Sequence, residues 1–172
     1  MEFSLNRSLE IIANTPRVIS VLLHNLSDEW TNHNEGENTW TVKEVLAHLI
    51  VCEEINWMPR IRLILDNPEG IFAPMDMQAH MEMAESNSLQ ELLVRFEQIR
   101  ANGINELKTY QLQEADFLKT ANHPVIGQVS MRQLISTWTT HDMTHLAQIA
   151  RIIARQNKDL VGNFKHYLNI LN

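Results

Sequence analysis

The sequence predicts an all-α fold: a four-helix bundle with an extra C-terminal helix. Three observations predict it. Apolar residues recur at steps of three and four along extended runs. Segments starting at Thr41, Ser88 and Ser130 each spell a capping box, in which a hydroxyl and a Glu or Gln three residues later satisfy orphan helix N–H groups reciprocally. Only 5 Gly and 5 Pro occur in 172 residues, which favours long helices over many short strands.

The first helix is expected over residues 4–26. Ser4 caps it, Leu5, Leu9, Ile12 and Ala13 repeat at helical steps, and Val18, Ile19, Leu22, Leu23 and Leu26 continue the apolar face. Pro16 removes a backbone donor, so a kink or a restart with Thr15 as cap is expected there. Asn34, Gly36 and Asn38 make residues 27–40 a loop. The second helix starts at the Thr41–Glu44 box, with Trp40 as a hydrophobic staple on Val45. It runs to about Leu65, bent at Pro59, and stops before Pro68 and Gly70. Residues 66–87 read as a long connection with a short helix near Met77–Ala84, and His80 in it reads as solvated.

The third helix starts at Ser88 and ends near Tyr110, with Gly103 costing about 1 kcal/mol against Ala. Residues 111–129 read as a loop in which Pro124 and Gly127 mark turns. The fourth helix runs from Ser130 to about Gln156. A last helix over Asp159–Leu171 would pack through Leu160, Phe164, Tyr167 and Leu168.

Composition narrows the class. The chain is expected to form one domain, residues 1–172, and its 44% apolar content is that of a globular protein. A net charge of -7 argues against a nucleic-acid partner. One cysteine, Cys52, excludes an internal disulfide and fits a reducing compartment. No signal peptide and no membrane span is visible, so a cytoplasmic location is expected.

The chemistry concentrates in Trp138 to Gln148. His141 and His145 are four apart on the stripe Leu134, Trp138, His141, His145, Gln148, Ile152. That stripe faces the core, where a polar group needs a partner. Two imidazoles one turn apart can grip one divalent cation. His48 lies in the apolar stretch Leu46-Ala-His-Leu-Ile50 of the second helix. Glu44 and Cys52 flank it by one turn each, as further ligands, supports of the ligands, or simply a cap and a small hydrophobe. Glu53, Trp57 and Arg60 line a pocket or make an ordinary ion pair beside an aromatic. His123 reaches the site from its loop or lies on the surface. Asp142 and Gln148 orient the ligands by hydrogen bonds, although Asp142 reads equally as an exposed helix residue. Bundle cores build metal sites from facing helices.

The stretches Trp40-Thr-Val-Lys-Glu-Val-Leu-Ala-His48-Leu, Glu53, Trp57, His123-Pro-Val-Ile-Gly127 and Trp138-Thr-Thr-His-Asp-Met-Thr-His-Leu-Ala-Gln148 together resemble the DinB/YfiT-like superfamily of metal-dependent proteins. The resemblance implies an up-down-down-up bundle, often dimeric. It implies one divalent metal ion per chain, zinc or nickel most often, on His48, His141 and His145. It further implies an enzyme that transfers a low-molecular-weight, bacillithiol-like thiol to an electrophilic small molecule, or a related metal-assisted hydrolysis. The alternative is a non-catalytic metal-binding stress or interaction protein. Relatives often carry an acidic residue three after the first histidine, where this chain has Val51.

Overall fold

The computed structural model describes residues 2–76 and 78–171. Its frame is α1 (Leu5–Leu23), the near-continuous pair α3 (Val42–Cys52) and α4 (Met58–Asp66), α6 (Leu89–Thr109) and α7 (Met131–Arg155). Short helices α2 (Asp28–Thr31) and α5 (Ala79–Ser86) lie in the connections. α1 packs on α6 and α7, and α3 packs on the same two helices. This is the expected four-helix bundle. Met77, which opened the expected short helix, lies outside the described residues.

All three capping boxes form as the sequence spells them, with Thr41, Ser88 and Ser130 accepting from Glu44, Glu91 and Gln133 backbone N–H groups. Ser4 caps α1 in the same way by accepting from the Arg7 N–H. The restart at Thr15 does not occur: α1 runs through Pro16 as one helix. Pro16 has no N–H for the carbonyl four residues back, that of Ile12. The Arg100 Nη1 donates to that carbonyl instead, at 2.7 Å, so a side chain from α6 satisfies what the proline left open.

The expected bend at Pro59 is a π-helical turn, Glu53–Trp57, between α3 and α4. Pro59 cannot donate to the Ile55 carbonyl, so the ladder is rebuilt just upstream with a wider turn. The extra residue turns Glu53, Asn56 and Trp57 inward together. Gly103 of α6 faces this turn: an added Cβ would stand 3.2 Å from Met58 Cγ and 3.8 Å from Glu53 Oε2. Here the glycine is a packing device. Gly103→Val should lower stability by about 1–3 kcal/mol through overpacking. Urea unfolding checks this, and an unchanged midpoint would contradict it.

Three expectations are corrected. Residues 120–130 form an antiparallel hairpin, β1 (Thr120–His123) with β2 (Gly127–Ser130), where a loop was expected. The turn signals were sound, since Gly127 has φ +77°. The strands flanking them were hidden by their shortness and polarity. The connection after α4 lies along β1, with Glu69 and Phe72 N–H groups donating to Thr120 and Asn122 carbonyls at 2.9 Å. Second, the C-terminal helix consists of two 3₁₀ turns, Gly162–Tyr167 and Asn169–Leu171. Its expected packing side is turned out, with Leu160, Phe164 and Tyr167 exposed; Leu171 provides the anchor. Third, His80 is buried on α5, which packs along α3.

Two apolar clusters fill the bundle. One gathers Trp57, Phe72, Phe117 and Trp138, and the other Leu46, Leu49, Phe96, Ile149 and Ile152. On α7 the boundary between them falls between Trp138 and Ile149. His141, Asp142 and His145 occupy that boundary, a polar layer between two apolar ones.

Candidate metal centre

Helical spacing builds the centre. On α3, His48 faces inward, and on α7, His141 and His145 face it one turn apart. The Nε2 atoms of His48 and His141 are 3.2 Å apart. The His145 ring centroid is 4.7 Å from that of His48 and 4.4 Å from that of His141. His145 Nδ1 donates to Gln148 Oε1 at 2.8 Å, which leaves the Nε2 lone pair for a ligand role. Cys52, one turn beyond His48, completes a group with His48 and His141 whose donor atoms all lie within 4.8 Å of one another; His145 adjoins this group through its ring.

The residues fit a divalent cation. Two imidazole nitrogens bound to zinc at about 2.0–2.1 Å in tetrahedral geometry lie about 3.3 Å apart. The observed separation of 3.2 Å therefore needs only a small adjustment. Without a cation, the same nitrogens compete for one proton between them. His141 Nδ1 is buried with no hydrogen-bond partner, so Nε2 is the nitrogen through which this ring interacts.

Aromatic rings enclose the imidazoles. Trp40 covers them, with its centroid 4.3 Å from His80 and 4.9 Å from His48. Trp57 meets His141 edge-on at 5.1 Å and stacks on Trp138 at 5.7 Å. Beneath lies a buried ionic cluster. Arg100 forks onto Asp142 at 2.5 and 3.0 Å and reaches Glu53 Oε1 at 2.8 Å. Trp138 Nε1 also donates to Glu53 Oε1, at 3.1 Å. All three charged side chains are at least 99% buried. Each carboxylate directly neighbours a residue of the centre in sequence: Glu53 follows Cys52, and Asp142 follows His141.

On one side the centre meets a cavity of about 1280 Å³, with His141 in its wall. Thr137, Thr140 and Thr144 of α7 line it with Arg132, and Phe3, Phe117 and Leu118 supply apolar surface.

Residues 12–149 match the family profile of the DinB superfamily. The chain belongs to the DinB superfamily. Similar members include proteins of Oceanobacillus iheyensis, 24% identical over 154 residues (89% of this chain, 88% of the relative), and Bacillus mycoides, 23% identical over 154 residues (89% and 87%). Both carry the name "putative metal-dependent hydrolase". Among solved structures, YfiT from Bacillus subtilis, described as "a probable metal-dependent hydrolase with an unusual four-helix bundle topology", superposes with a TM-score of 0.78 at 18% identity over 91% of both chains. TT2238, "a four-helix bundle protein", superposes at 0.58 with 17% identity, over 86% of this chain and 98% of its own.

This DinB chain places the remaining sequence candidates as follows. Glu44 is held in the capping box, accepting from the Thr41 N–H at 2.6 Å. Glu53 pairs with Arg100 and not with Arg60. Arg60 lies over the Phe72 ring at 4.7 Å. His123 stays at the hairpin end, where Nδ1 accepts from the Val125 and Ile126 N–H groups and the ring meets Phe72 at 6.3 Å. The exposed reading of Asp142 is corrected: it is fully buried, because α7 turns it onto Arg100. Sequence reasoning missed Arg100, although it sits four residues after Phe96 and four before Ile104 on a buried stripe, which was a readable signal.

Burial sets the protonation of this DinB site. It lowers His48 to about 4, helped by the charges of His145 and His80. It lowers His141 to about 3, helped by His145, His48 and Arg100. His145 is lowered by burial against the opposing pull of Gln148 and Asp142. Burial, with Glu53 nearby, pushes the Cys52 thiol up to about 12. Burial also raises Glu53 to about 7, against the attraction of Arg100. The imidazoles of the metal-free protein are therefore neutral at pH 7.

A histidine held below its unfolded value contributes stability above that value and loses it as pH falls through the folded one. For His48 and His141 the window runs from 6.5 down to about 4 and about 3. Glu53 acts in the opposite direction between about 7 and 4.5. Two histidines outweigh one carboxyl, so the melting temperature of chelator-treated protein should fall as pH drops from 6.5 towards 4. A melting temperature that rises steadily over this range would contradict the assignment.

Proposed function

We propose that this DinB protein is a divalent-metal-dependent enzyme that transfers a low-molecular-weight, bacillithiol-like thiol to an electrophilic small molecule. The ion is zinc or nickel, held by His48, His141 and His145. The carrying observation is that His141 belongs to the histidine layer and also to the cavity wall. A bound divalent ion supplies Lewis acidity and lowers the pKa of a thiol or water beside it. The chain's own residues do the rest. Gln148 holds the His145 ring in one tautomer. Trp40 and Trp57 exclude water from the imidazoles. The cavity, at about 1280 Å³, exceeds the usual 300–1,000 Å³ of a single-ligand pocket and suits two substrates together.

Metal-assisted hydrolysis is the second reading, favoured by the names of the two bacterial relatives. A single experiment separates them. Metal-loaded protein is incubated with chlorinated or epoxide acceptors, with and without bacillithiol, mycothiol, glutathione or coenzyme A. Thiol-dependent turnover above the metal-stripped control supports transfer, and thiol-independent turnover supports hydrolysis. No turnover in any arm would favour a non-catalytic metal-binding protein.

A further inference from the structure

We propose that Cys52 is a sulfur ligand to the same ion as His48 and His141. The inference rests on the metal-dependent reading above and adds a residue to it. Distance is its first support. A zinc–sulfur bond of about 2.3 Å and a zinc–nitrogen bond of about 2.0–2.1 Å in tetrahedral geometry put the two donors about 3.5–3.6 Å apart. Cys52 Sγ stands 3.5 Å from His48 Nε2 and 3.8 Å from His141 Nε2. With the 3.2 Å between the two nitrogens, all three edges of the donor triangle come within a few tenths of an ångström of a tetrahedral face.

Placement is the second support. Cys52 is the last residue of α3, and the wider π turn begins at Glu53. The α-helical step from His48 to Cys52 is thus intact, so the two side chains share a face. Were the π turn to start one turn earlier, the sulfur would rotate away from the imidazoles. Burial is the third support. Cys52 is 1% exposed, and its sulfur is directed at two nitrogens from two different helices. A thiol has one proton and can donate to only one of them. A cation lets the sulfur serve both sides of the bundle at once.

The step balances without an oxidant or reductant. The S–H bond breaks, the proton passes to solvent, and the sulfur lone pair forms the bond to the ion. A thiolate among imidazoles favours zinc, cobalt or nickel over magnesium, calcium or manganese. It also takes a position that a three-histidine set leaves open, so substrate access then requires expansion to five-coordination.

Cobalt substitution tests this. Metal-stripped protein, in a thiol-free buffer, is loaded with one equivalent of Co(II). Cys52 is the only cysteine in the chain, so a sulfur-to-cobalt charge-transfer band in the near ultraviolet reports it alone. The expected result is that band together with visible ligand-field absorption. Cys52→Ser should lose the near-ultraviolet band, keep the visible absorption and bind Co(II) about 100-fold or more weakly. Visible absorption without the near-ultraviolet band in the unmodified protein would overturn sulfur ligation and leave the histidine site standing. Absence of both would overturn the metal reading and this inference together. The unmodified protein gives a decisive spectrum even if the variant does not fold.

Discussion

His141→Ala should reduce the protein from about one divalent ion per chain to trace occupancy. The fold should survive. His141 Nε2 stands 3.2 Å from His48 Nε2 and 3.8 Å from Cys52 Sγ, so its removal takes away both of these polar contacts between the α3 donors and α7. Loss of a single group that merely orients a ligand typically costs 10–100-fold in metal affinity, and loss of a ligand should cost at least about 100-fold. The imidazole is half-buried and its pKa lowered to about 3, so deleting it removes a polar group that its surroundings accommodate at a cost. Melting of the metal-free variant should therefore match or exceed that of the metal-free parent. Elemental analysis after gentle purification, paired with melting curves, checks both statements. His145→Ala should lower occupancy as well, and unchanged occupancy would remove His145 from the ligand set.

Arg100→Met should destabilise the protein by about 3–5 kcal/mol, the range for removing one partner from a buried ionic cluster. Among the described residues, Arg100 is the cation paired with the buried carboxylates of Glu53 and Asp142, and it also satisfies the Ile12 carbonyl that Pro16 leaves open. Methionine keeps much of the stem and removes all of these contacts. At about 2–4 °C per kcal/mol for a chain of this size, the melting temperature should fall by roughly 10 °C. Adding Glu53→Gln and Asp142→Asn should recover part of the loss, because no buried charge is then unpaired. The single variant should also bind metal more weakly, since the two carboxylates directly neighbour Cys52 and His141. A single variant as stable as the parent would show that the cluster does not tie α6 to the histidine layer.

The sequence carries the frame of this fold because its signals are local. Each capping box is a four-residue pattern, and all three form where they are spelled. His141 and His145 are legible for the same reason, since one helical turn separates them. His48 needed a different argument, a histidine among apolar neighbours, and the facing helices supplied its partner. What the sequence concealed depends on tertiary contacts. Whether Pro16 would break α1 turns on an arginine 84 residues away (100 − 16). The inward aim of Glu53 depends on a π turn that no apolar period announces. Asp142 read equally as exposed because its partner is on another helix, and the cover that Trp40 gives the imidazoles was hidden because they come from three separate helices. The polar strands of the 120–130 hairpin lack an alternating apolar pattern and gain their register from backbone pairing with each other and with residues 69–72.

The most direct measurement is an anomalous-difference map from crystals of protein grown without chelator, with data collected at the absorption edge of whichever metal elemental analysis finds. The account predicts one strong peak between α3 and α7, within bonding distance of His48 Nε2 and His141 Nε2. Protein that contains stoichiometric metal but shows its peak elsewhere, or protein with metal only at trace level, would contradict it.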